Sequence, residues 1–361
     1  MLRPPTLRLA SLLLALAFVS TAALAADDPL ALLDAGHFKR ARALIEAREA
    51  TSPDDPATLY LRSRLTLQLG DAKAALPLAE RAAALAPRNA AYRYQVAGCV
   101  GSLAQHAGIL KQLGLAKRFK REAEAALALD PRQIDAIEGL IQFYSQAPGI
   151  AGGSDKHAAA LAETLVTLDA ARGRLAQADL AFHDKQRARG EEALRQAVSA
   201  DPKSYAAHLA LARFCLGDDQ KKWDEAEQQA RAALAINPGR VGAWYVLAHL
   251  DAHLQRWDDL DRTLAEAERA VPDNLGPCYQ AARTLLADDH EPARAERGFR
   301  KFMTQEPEPG GPTLAHAHWR LGLAIEKQGR RAEALQEVET ALQLKPDLDD
   351  AKKDLKRLKR G

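Results

Sequence analysis

Prolines recur along this chain at nearly constant intervals, each closing a stretch rich in alanine and leucine. The interval from Pro53 to Pro87 equals that from Pro238 to Pro272, and both are about 34 residues long. The closing stretches read AAALAP at 82–87, ALALDP at 126–131, AVSADP at 197–202, ALAINP at 233–238 and ALQLKP at 341–346. A constant period of this length indicates an array of short structural units, each of which buries its apolar face only against its neighbours.

The units are predicted to be helical. Alanine, leucine, arginine and glutamate dominate the composition, and aromatic residues make up only 5% of the chain. These four residues are strong helix formers, and alanine lets neighbouring helices approach closely. Because proline cannot continue a helix, each closing proline ends one helix and restarts the chain for the next unit. The fold class is therefore predicted to be all-α.

The unit resembles the tetratricopeptide repeat, a helix–turn–helix unit with this period. That family places a large residue and Leu-Gly or Leu-Ala on the first helix, a Gly-Asp or Gly-Asn turn, and small residues on the second helix. Matching residues are Gly36, Phe38, Ala41 and Ile45; Gly70, Asp71, Ala75, Ala79 and Ala82; Trp244, Leu247, Ala248, Trp257, Leu260, Leu264 and Ala267; and His318, Leu321, Gly322, Ile325, Gly329, Ala334, Val338 and Ala341. The resemblance implies a right-handed superhelical solenoid of about nine helical hairpins over residues 27–346, with a concave groove.

The spacing is irregular over residues 90–200. The intervals from Pro87 to Pro131 and from Pro131 to Pro202 are longer than one period, and the second is close to two periods. We expect longer helices with a break near Gly108 or Gly114, followed by two units that lack one closing proline. From Leu110 onward this region is also similar to the helical-repeat region of regulator-of-microtubule-dynamics proteins. That similarity implies a related repeat subfamily and carries no cytoskeletal function to this chain.

A glycine-rich loop, APGIAGGSDK at 147–156, departs most from the repeat pattern. Its candidate contact residues are Gly149, Gly152, Gly153 and Ser154. The loop superficially resembles a phosphate-binding loop, but the spacing of that motif is not met and no strand precedes it. Ser154 or Asp155 more simply caps the next helix. We interpret the loop as a structural turn, with a partner contact or an anion cradle as alternatives.

Residues 1–25 have the pattern of a secretory signal peptide. Arg3 and Arg8 precede an apolar run at 9–19, and Ala23-Leu24-Ala25 fits a small-x-small cleavage site. An uncleaved anchor is the alternative, but a membrane span needs about 20 apolar residues and this run is shorter. We therefore predict an exported, periplasmic protein without a membrane span after cleavage. Full secretion is the alternative destination.

The last segment, residues 347–361, is predicted to be an amphipathic capping helix. Its apolar face carries Leu348, Ala351, Leu355 and Leu358, and its outer face carries Lys352, Lys353, Lys356, Arg357 and Lys359. Cations suit a helix C-terminus because they complement the helix dipole. A docking site for an acidic partner is the alternative interpretation.

Charge and cysteine usage exclude several classes of function. Removing Arg3 and Arg8 brings the formal charge of +2 to about zero, so the mature chain has no global attraction to nucleic acid. Cys99, Cys215 and Cys278 are odd in number and far apart, which favours buried small side chains over a disulfide framework. A single stray disulfide in an oxidising compartment is the alternative.

The sequence contains no recognisable catalytic or metal-binding motif. His249 and His253 have the i, i+4 spacing of zinc ligands, but the HExxH form is absent and no third ligand can be placed. A G-x-S-x-G nucleophile motif is also missing. We therefore predict no enzyme activity, no metal and no cofactor.

The concave groove is predicted to carry the partner-binding side chains. In the family that this repeat resembles, the concave wall comes mainly from the first helix of each unit. The positions so implied are Tyr60, Arg64, Arg213, Tyr245, His249, His253, Trp319, Arg320 and Lys327. Aromatic faces with arginine and lysine suit a peptide, including one with acidic side chains or a free carboxylate.

These features predict a non-catalytic scaffold or adaptor of the cell envelope that binds a segment of a partner protein. The alternative is a periplasmic protein that binds a small ligand or an envelope polymer through the glycine-rich loop and the groove. A solvated groove without any ligand is the third interpretation of the same residues.

Overall fold

The computed structural model describes residues 28–217 and 220–360, so the predicted signal peptide lies outside the described residues. Within these ranges the chain forms nineteen α-helices, one 3-10 turn at Gly149–Ala151 and no strand. The helices are α1 (Pro29–Ala35), α2 (Phe38–Thr51), α3 (Pro56–Gln68), α4 (Ala72–Leu85), α5 (Ala90–Gln105), α6 (Ile109–Leu129), α7 (Ile134–Gln146), α8 (Asp155–Leu168), α9 (Ala170–His183), α10 (Arg187–Ala200), α11 (Tyr205–Leu216), α12 (Trp223–Ile236), α13 (Val241–His253), α14 (Trp257–Ala270), α15 (Gly276–Ala287), α16 (Pro292–Phe302), α17 (Leu314–Glu326), α18 (Arg331–Leu344) and α19 (Asp349–Arg360). None of these helices is long and apolar enough to cross a membrane.

Consecutive helices pair into hairpins, from α1–α2 to α17–α18, and α19 packs on the last of them. The described ranges hold nine such hairpins, and the odd-numbered helix of each pair is its first helix. Each hairpin packs on the next, and the apolar clusters extend across neighbouring hairpins. The predicted all-α solenoid of helix–turn–helix units is confirmed.

The turn inside several hairpins uses a left-handed backbone position. Glycine occupies it in three of them, with φ of 89° at Gly36, 88° at Gly70 and 78° at Gly329. Lys185 and Gln255 adopt φ of 60° and 56° at the corresponding turns. Side chains with a Cβ adopt this conformation at a cost. Packing of the array therefore imposes the same turn even where the sequence lacks glycine.

The irregular region contains one helix break and one replacement for a closing proline. Gly108 precedes α6, and α6 then continues without interruption through Gly114 for 21 residues. Of the two predicted break points, the structure therefore uses Gly108. Between α8 and α9, Asp169 ends one helix and its carboxylate accepts a hydrogen bond from the backbone N–H of Arg172 at 2.9 Å. An N-cap aspartate thus separates two hairpins where the repeat usually has proline.

Small residues lie at the closest helix crossings. A Cβ added at Gly322 on α17 would lie 2.9 Å from the Ala334 carbonyl oxygen and 2.7 Å from Val338 Cγ2 on α18. The three cysteines lie buried and unbridged within first helices. Their burial fits the interpretation of these side chains as small apolar packing residues.

The solenoid curves far enough that its first hairpin contacts its seventh and eighth. The Arg240 guanidinium, just before α13, donates to the Asp34 carbonyl oxygen at the end of α1 at 3.3 Å. Lys39 Nζ on α2 donates to the Glu306 carbonyl oxygen at 2.6 Å. These contacts join residues more than 200 positions apart in the chain. Through these contacts the first hairpin closes over the concave face of the second to sixth hairpins.

Candidate partner-binding groove

A central cavity of about 700 Å³ lies on the concave face of the first six hairpins. Its wall comes mostly from first helices, because these helices face inward while the second helices form the outer layer. Of the nine groove residues predicted from the sequence, Tyr60 and Arg64 line it. Three tyrosines contribute to the wall: Tyr60, Tyr94 and Tyr205.

Carboxylates outnumber arginines in the wall of this cavity. Among the described lining residues, the acidic ones are Asp34, Asp135, Glu138, Asp169 and Asp201, and the basic ones are Arg64, Arg172 and Arg240. Arg64 pairs with Asp34 at 2.9 Å, and Arg172 pairs with Glu138 at 2.6 Å. Arg240 lies over the Tyr205 ring, 4.5 Å from its centroid. Each arginine is therefore already engaged, and the lining has an acidic excess.

This lining does not support the predicted preference for an acidic segment or a free carboxylate. At Arg172 or Arg64 an incoming carboxylate would have to displace Glu138 or Asp34, and at Arg240 it would compete with the contacts to the Tyr205 ring and the Asp34 carbonyl oxygen. A cationic or neutral segment would meet carboxylates that are only partly compensated.

Sequence reasoning missed Asp135, Glu138 and Arg172, which lie on α7 and α9 in the irregular region. Glu138 is the fifth residue of α7, as Tyr245 is of α13, so transferring the repeat register from the regular units would have found it. Asp135 and Arg172 are the second and third residues of their helices, where no groove residue was predicted. The register of α9 was also harder to read, because no closing proline marks the boundary at Asp169.

Tyr245, His249 and His253 lie on α13 and contact α15. The Tyr245 hydroxyl packs against the start of α15, and burial raises the pKa of Tyr245 to about 12. The two imidazoles stack with centroids 5.8 Å apart, and His253 Nδ1 lies 2.7 Å from Asp288 Oδ2. His249 Nδ1 lies 2.8 Å from Thr284 Oγ1. These side chains thus join adjacent first helices.

A second pocket, of about 580 Å³, lies between α15, α17 and α19. It is lined by Arg320 and Lys327 from the predicted set. Trp319 is buried instead, and its indole N–H donates to Asp354 Oδ2 at 2.8 Å, so it fastens α19 to α17. The Arg320 guanidinium lies 4.7 Å from the Trp319 ring centroid, and its Nε has no hydrogen-bond partner in the structure.

The remaining predicted groove residue, Arg213, is exposed on α11. The nine predicted residues are therefore spread over four first helices, α3, α11, α13 and α17, and the turn after α17, and Trp319 is buried. They do not converge on one site: Tyr60 and Arg64 lie in the central cavity, and Arg320 and Lys327 lie in the C-terminal pocket.

An apolar cleft of about 600 Å³ lies between α5, α6, α7 and the glycine-rich loop. Phe119, Phe143 and the highly exposed Ile150 contribute apolar walls. The polar side chains of the lining are four glutamine amides, from Gln105, Gln112, Gln142 and Gln146. No charged side chain is present among the described lining residues. The cleft therefore suits an uncharged group.

The backbone of the loop is not arranged to hold an anion. The N–H groups of Ala151, Gly152, Gly153 and Ser154 all donate to carbonyl oxygens of the loop or of α7. Gly152 adopts φ of 102°, and Ser154 caps α8 by accepting from the backbone N–H of His157 at 3.4 Å. These bonds favour the structural-turn interpretation over an anion cradle, since no N–H of this run remains for a ligand.

Replacing Gly153 by alanine is expected to destabilise the loop and reshape the cleft. The added Cβ would lie 1.7 Å from the Ala147 carbonyl oxygen, so the backbone itself must move. We expect a loss of about 1–3 kcal/mol in the free energy of unfolding, measured by urea denaturation. Gly149→Ala is the matched control, because a Cβ there meets nothing within 4 Å. Equal stability of the two variants would contradict this account of the loop.

Comparison with known proteins supports the fold. No family model matches the chain, and no curated protein matches it in sequence. Among solved structures the chain is similar to yeast Tom70, with 14% identity over 92% of this chain and 80% of Tom70, at a TM-score of 0.51. It is also similar to TTC0263, a thermophilic TPR protein of Thermus thermophilus, with 22% identity over 52% of this chain and 96% of that one, at a TM-score of 0.46. A tetratricopeptide repeat protein from Parabacteroides merdae shows 14% identity over 74% of this chain and 99% of that one, at a TM-score of 0.43.

At these identities the likeness concerns the fold alone, and the similarity to Tom70 together with the observed helical hairpins confirms the predicted all-α solenoid. The similarity of the irregular region to regulator-of-microtubule-dynamics repeats stays a prediction.

Proposed function

We propose that this protein is a non-catalytic scaffold or adaptor that binds an extended segment of a partner protein in its central cavity. The observation that carries the proposal is the central cavity, which is lined by first helices of consecutive hairpins and has three tyrosines and an excess of carboxylates. Such a wall offers aromatic faces along an extended chain and hydrogen-bond acceptors for its N–H groups.

The charge of the wall favours a segment that carries lysine or arginine. Asp135 and Glu138 share one arginine, Arg172, at 3.0 and 2.6 Å, so one negative charge of this trio is uncompensated. Asp169 and Asp201 add two more carboxylates, which also accept hydrogen bonds from backbone N–H groups. A cation placed among them gains attraction without displacing an existing ion pair.

The proposed location is the cell envelope. Its support is the signal-peptide pattern of residues 1–25. Amino-terminal sequencing of the protein from its native cells tests this point. A mature chain that begins just after Ala25 supports export, and an intact amino terminus on the cytoplasmic side contradicts it.

A photoreactive amino acid in place of Ala206 tests the groove in native cells. Ala206 is exposed and lines the central cavity, whereas the control position Ala235 is exposed on the second helix α12. We expect a defined protein adduct from position 206 that is absent from position 235. Mass spectrometry of the adduct identifies the bound segment. The same adducts from both positions would contradict groove binding.

The identified segment then tests the charge argument. We expect the Asp135→Asn, Glu138→Gln double variant to bind the synthetic segment about tenfold more weakly, or about 1.4 kcal/mol, by calorimetry. The variant removes both carboxylates and leaves Arg172 without its partners, so a cationic segment meets net repulsion. Glu192→Gln on α10 is the control, since Glu192 is exposed on a second helix. Unchanged affinity in the double variant would refute a role for these carboxylates.

The neutral apolar cleft favours a second candidate, a protein that binds a small ligand or an envelope polymer. Cavities of this size with few polar groups are typical small-molecule sites. A thermal-shift screen with peptidoglycan fragments, neutral glycans, fatty alcohols and anions tests it. Stabilisation by an uncharged compound that Gly153→Ala weakens would support this candidate, and a flat response would exclude it.

A further inference from the structure

The first hairpin is held against the far side of the solenoid by a small cluster of polar contacts. We call this cluster the seam; it comprises His37, Lys39, Arg240, Asp273 and Glu308. Lys39 donates its backbone N–H to Glu308 Oε2 at 3.3 Å, and Arg240 donates to the Asp34 carbonyl oxygen at 3.3 Å. The contacts reach the connections before the seventh, eighth and ninth hairpins.

His37 lies at the centre of the seam, buried between α1 and α2. Its Nδ1 lies 3.0 Å from Asp273 Oδ2, and its Nε2 lies 2.7 Å from the Gly239 carbonyl oxygen. Both partners are acceptors only. A neutral imidazole carries one N–H and can satisfy one of them, whereas an imidazolium donates to both. The geometry therefore fits the doubly protonated ring.

The buried carboxyl group of Glu308 also fits a protonated state, whereas that of Asp273 faces the imidazolium as a carboxylate. Asp273 Oδ1 and Glu308 Oε1 are buried and have no hydrogen-bond partner in the structure. The cations that face them are Lys39 and Arg40 on α2 together with His37. At the outer edge Arg42 on α2 lies 3.8 Å from Glu306, where both groups are more exposed. A neutral Glu308 has a smaller desolvation cost at this position than an ionised one.

We propose that the α1–α2 hairpin is a proton-dependent clasp, which closes the solenoid over the central cavity and opens when His37 and Glu308 lose their protons. Arg240 belongs to the seam, and both Arg240 and Asp34, whose carbonyl oxygen it contacts, line the wall of the cavity. Opening the clasp therefore widens the entrance to the cavity. The closure itself does not depend on what the cavity binds.

The direction of the pH dependence follows from the pKa shifts. The hydrogen bond to Asp273 raises the pKa of His37 against the opposing effect of burial, and burial raises the pKa of Glu308 to about 7. Both groups bind protons more tightly in the closed form. The stabilisation that they contribute is complete below the pKa values of the open form and is lost as the pH rises through those of the closed form.

Asp273 acts in the opposite sense at low pH. Burial is the largest single influence and raises its pKa, but the hydrogen bond and the positive charge of His37, with smaller help from a backbone hydrogen bond and Arg40, together lower the net pKa. Its contribution is present above the ordinary aspartate pKa and is lost as the pH falls through the lowered value. The closed form is therefore most stable in mildly acidic solution. Its stability falls when the pH rises, because His37 and Glu308 lose their protons, and also when the pH falls far enough to protonate Asp273.

A distance measurement across the seam tests the clasp. Spin labels at Ala43→Cys on α2 and Thr304→Cys, just after α16, occupy exposed positions on its two sides. The native cysteines are buried, and burial raises the pKa of the Cys278 thiol to about 11, so the introduced thiols react first. We expect a short-distance peak at about pH 5.5 that loses more than half of its amplitude at about pH 8.5.

Variants assign the effect to the two groups. The His37→Gln, Glu308→Gln double variant is expected to give one distance distribution at both pH values. His106→Gln, at an exposed histidine outside the seam, is expected to keep the wild-type transition. Circular dichroism at both pH values verifies that the chain stays folded. An unchanged wild-type distribution, or a full transition in the double variant, would overturn the proposal.

Discussion

Replacing Phe299 by alanine is expected to cost about 3–5 kcal/mol of the free energy of unfolding, the largest stability effect that we predict for a single side chain. Phe299 on α16 is completely buried, and its ring meets that of Tyr279 edge to face with centroids 5.4 Å apart. The cluster around it extends from α13 to α19. Removing the ring would leave a cavity that these rigidly stacked hairpins cannot fill by collapse.

Urea denaturation followed by circular dichroism measures this loss. Leu344→Ala is the matched control, because Leu344 lies in the same part of the solenoid but is 55% exposed. Its replacement should change the stability by no more than about 0.5 kcal/mol. A Phe299→Ala variant as stable as Leu344→Ala would show that the C-terminal hairpins are not packed as described.

The loss is expected to be concentrated in the C-terminal hairpins. In a solenoid each unit contacts only its neighbours, so stability is close to a sum of unit and interface contributions. If the loss is confined to these hairpins, the Phe299→Ala variant should show an additional unfolding transition at a lower urea concentration than the main one. The seam partly offsets this independence, because it joins the first hairpin to the seventh and eighth.

Replacing Gly173 by alanine is expected to cost about 3 kcal/mol, at the upper end of the range for overpacking. Gly173 is buried near the start of α9, and an added Cβ would lie 2.3 Å from Val166 N and 2.5 Å from Val166 Cα on α8. These are backbone atoms of a packed helix, so no side-chain rotation can relieve the clash. The fourth and fifth hairpins would have to separate.

Gly114→Ala on α6 is expected to have the opposite effect on stability to Gly173→Ala. A Cβ there meets nothing within 4 Å, and the position is exposed inside a helix. Alanine should stabilise the chain by about 0.5–1 kcal/mol, since it restricts the unfolded chain and favours the helix. Thermal and urea unfolding of both variants measure the difference. A neutral Gly173→Ala would refute the close approach of α8 and α9.

The repeat and its physical consequences could be predicted from local sequence. Closing prolines, small residues at fixed spacing and a helix-forming composition depend only on near neighbours along the chain. They predicted helix–turn–helix units and a break near Gly108 or Gly114, of which the structure uses Gly108. The resemblance to the tetratricopeptide repeat implied first-helix residues such as Tyr60 and Arg64, which the structure places in the cavity wall. Trp319 shows the limit of such inference, because its burial under α19 depends on contacts between separate helices.

Sequence by itself therefore determined the repeating unit and the class of fold, and the family resemblance of the repeat implied which helix faces inward. Tertiary structure alone decided the sign of the charge in the cavity, because that depends on which carboxylates meet which arginines across hairpins. It also decided the seam, where His37 meets Asp273 across a separation of 236 residues. No local pattern encodes such a contact. It arises from the accumulated curvature of many stacked units, each of which adds a small rotation to the last.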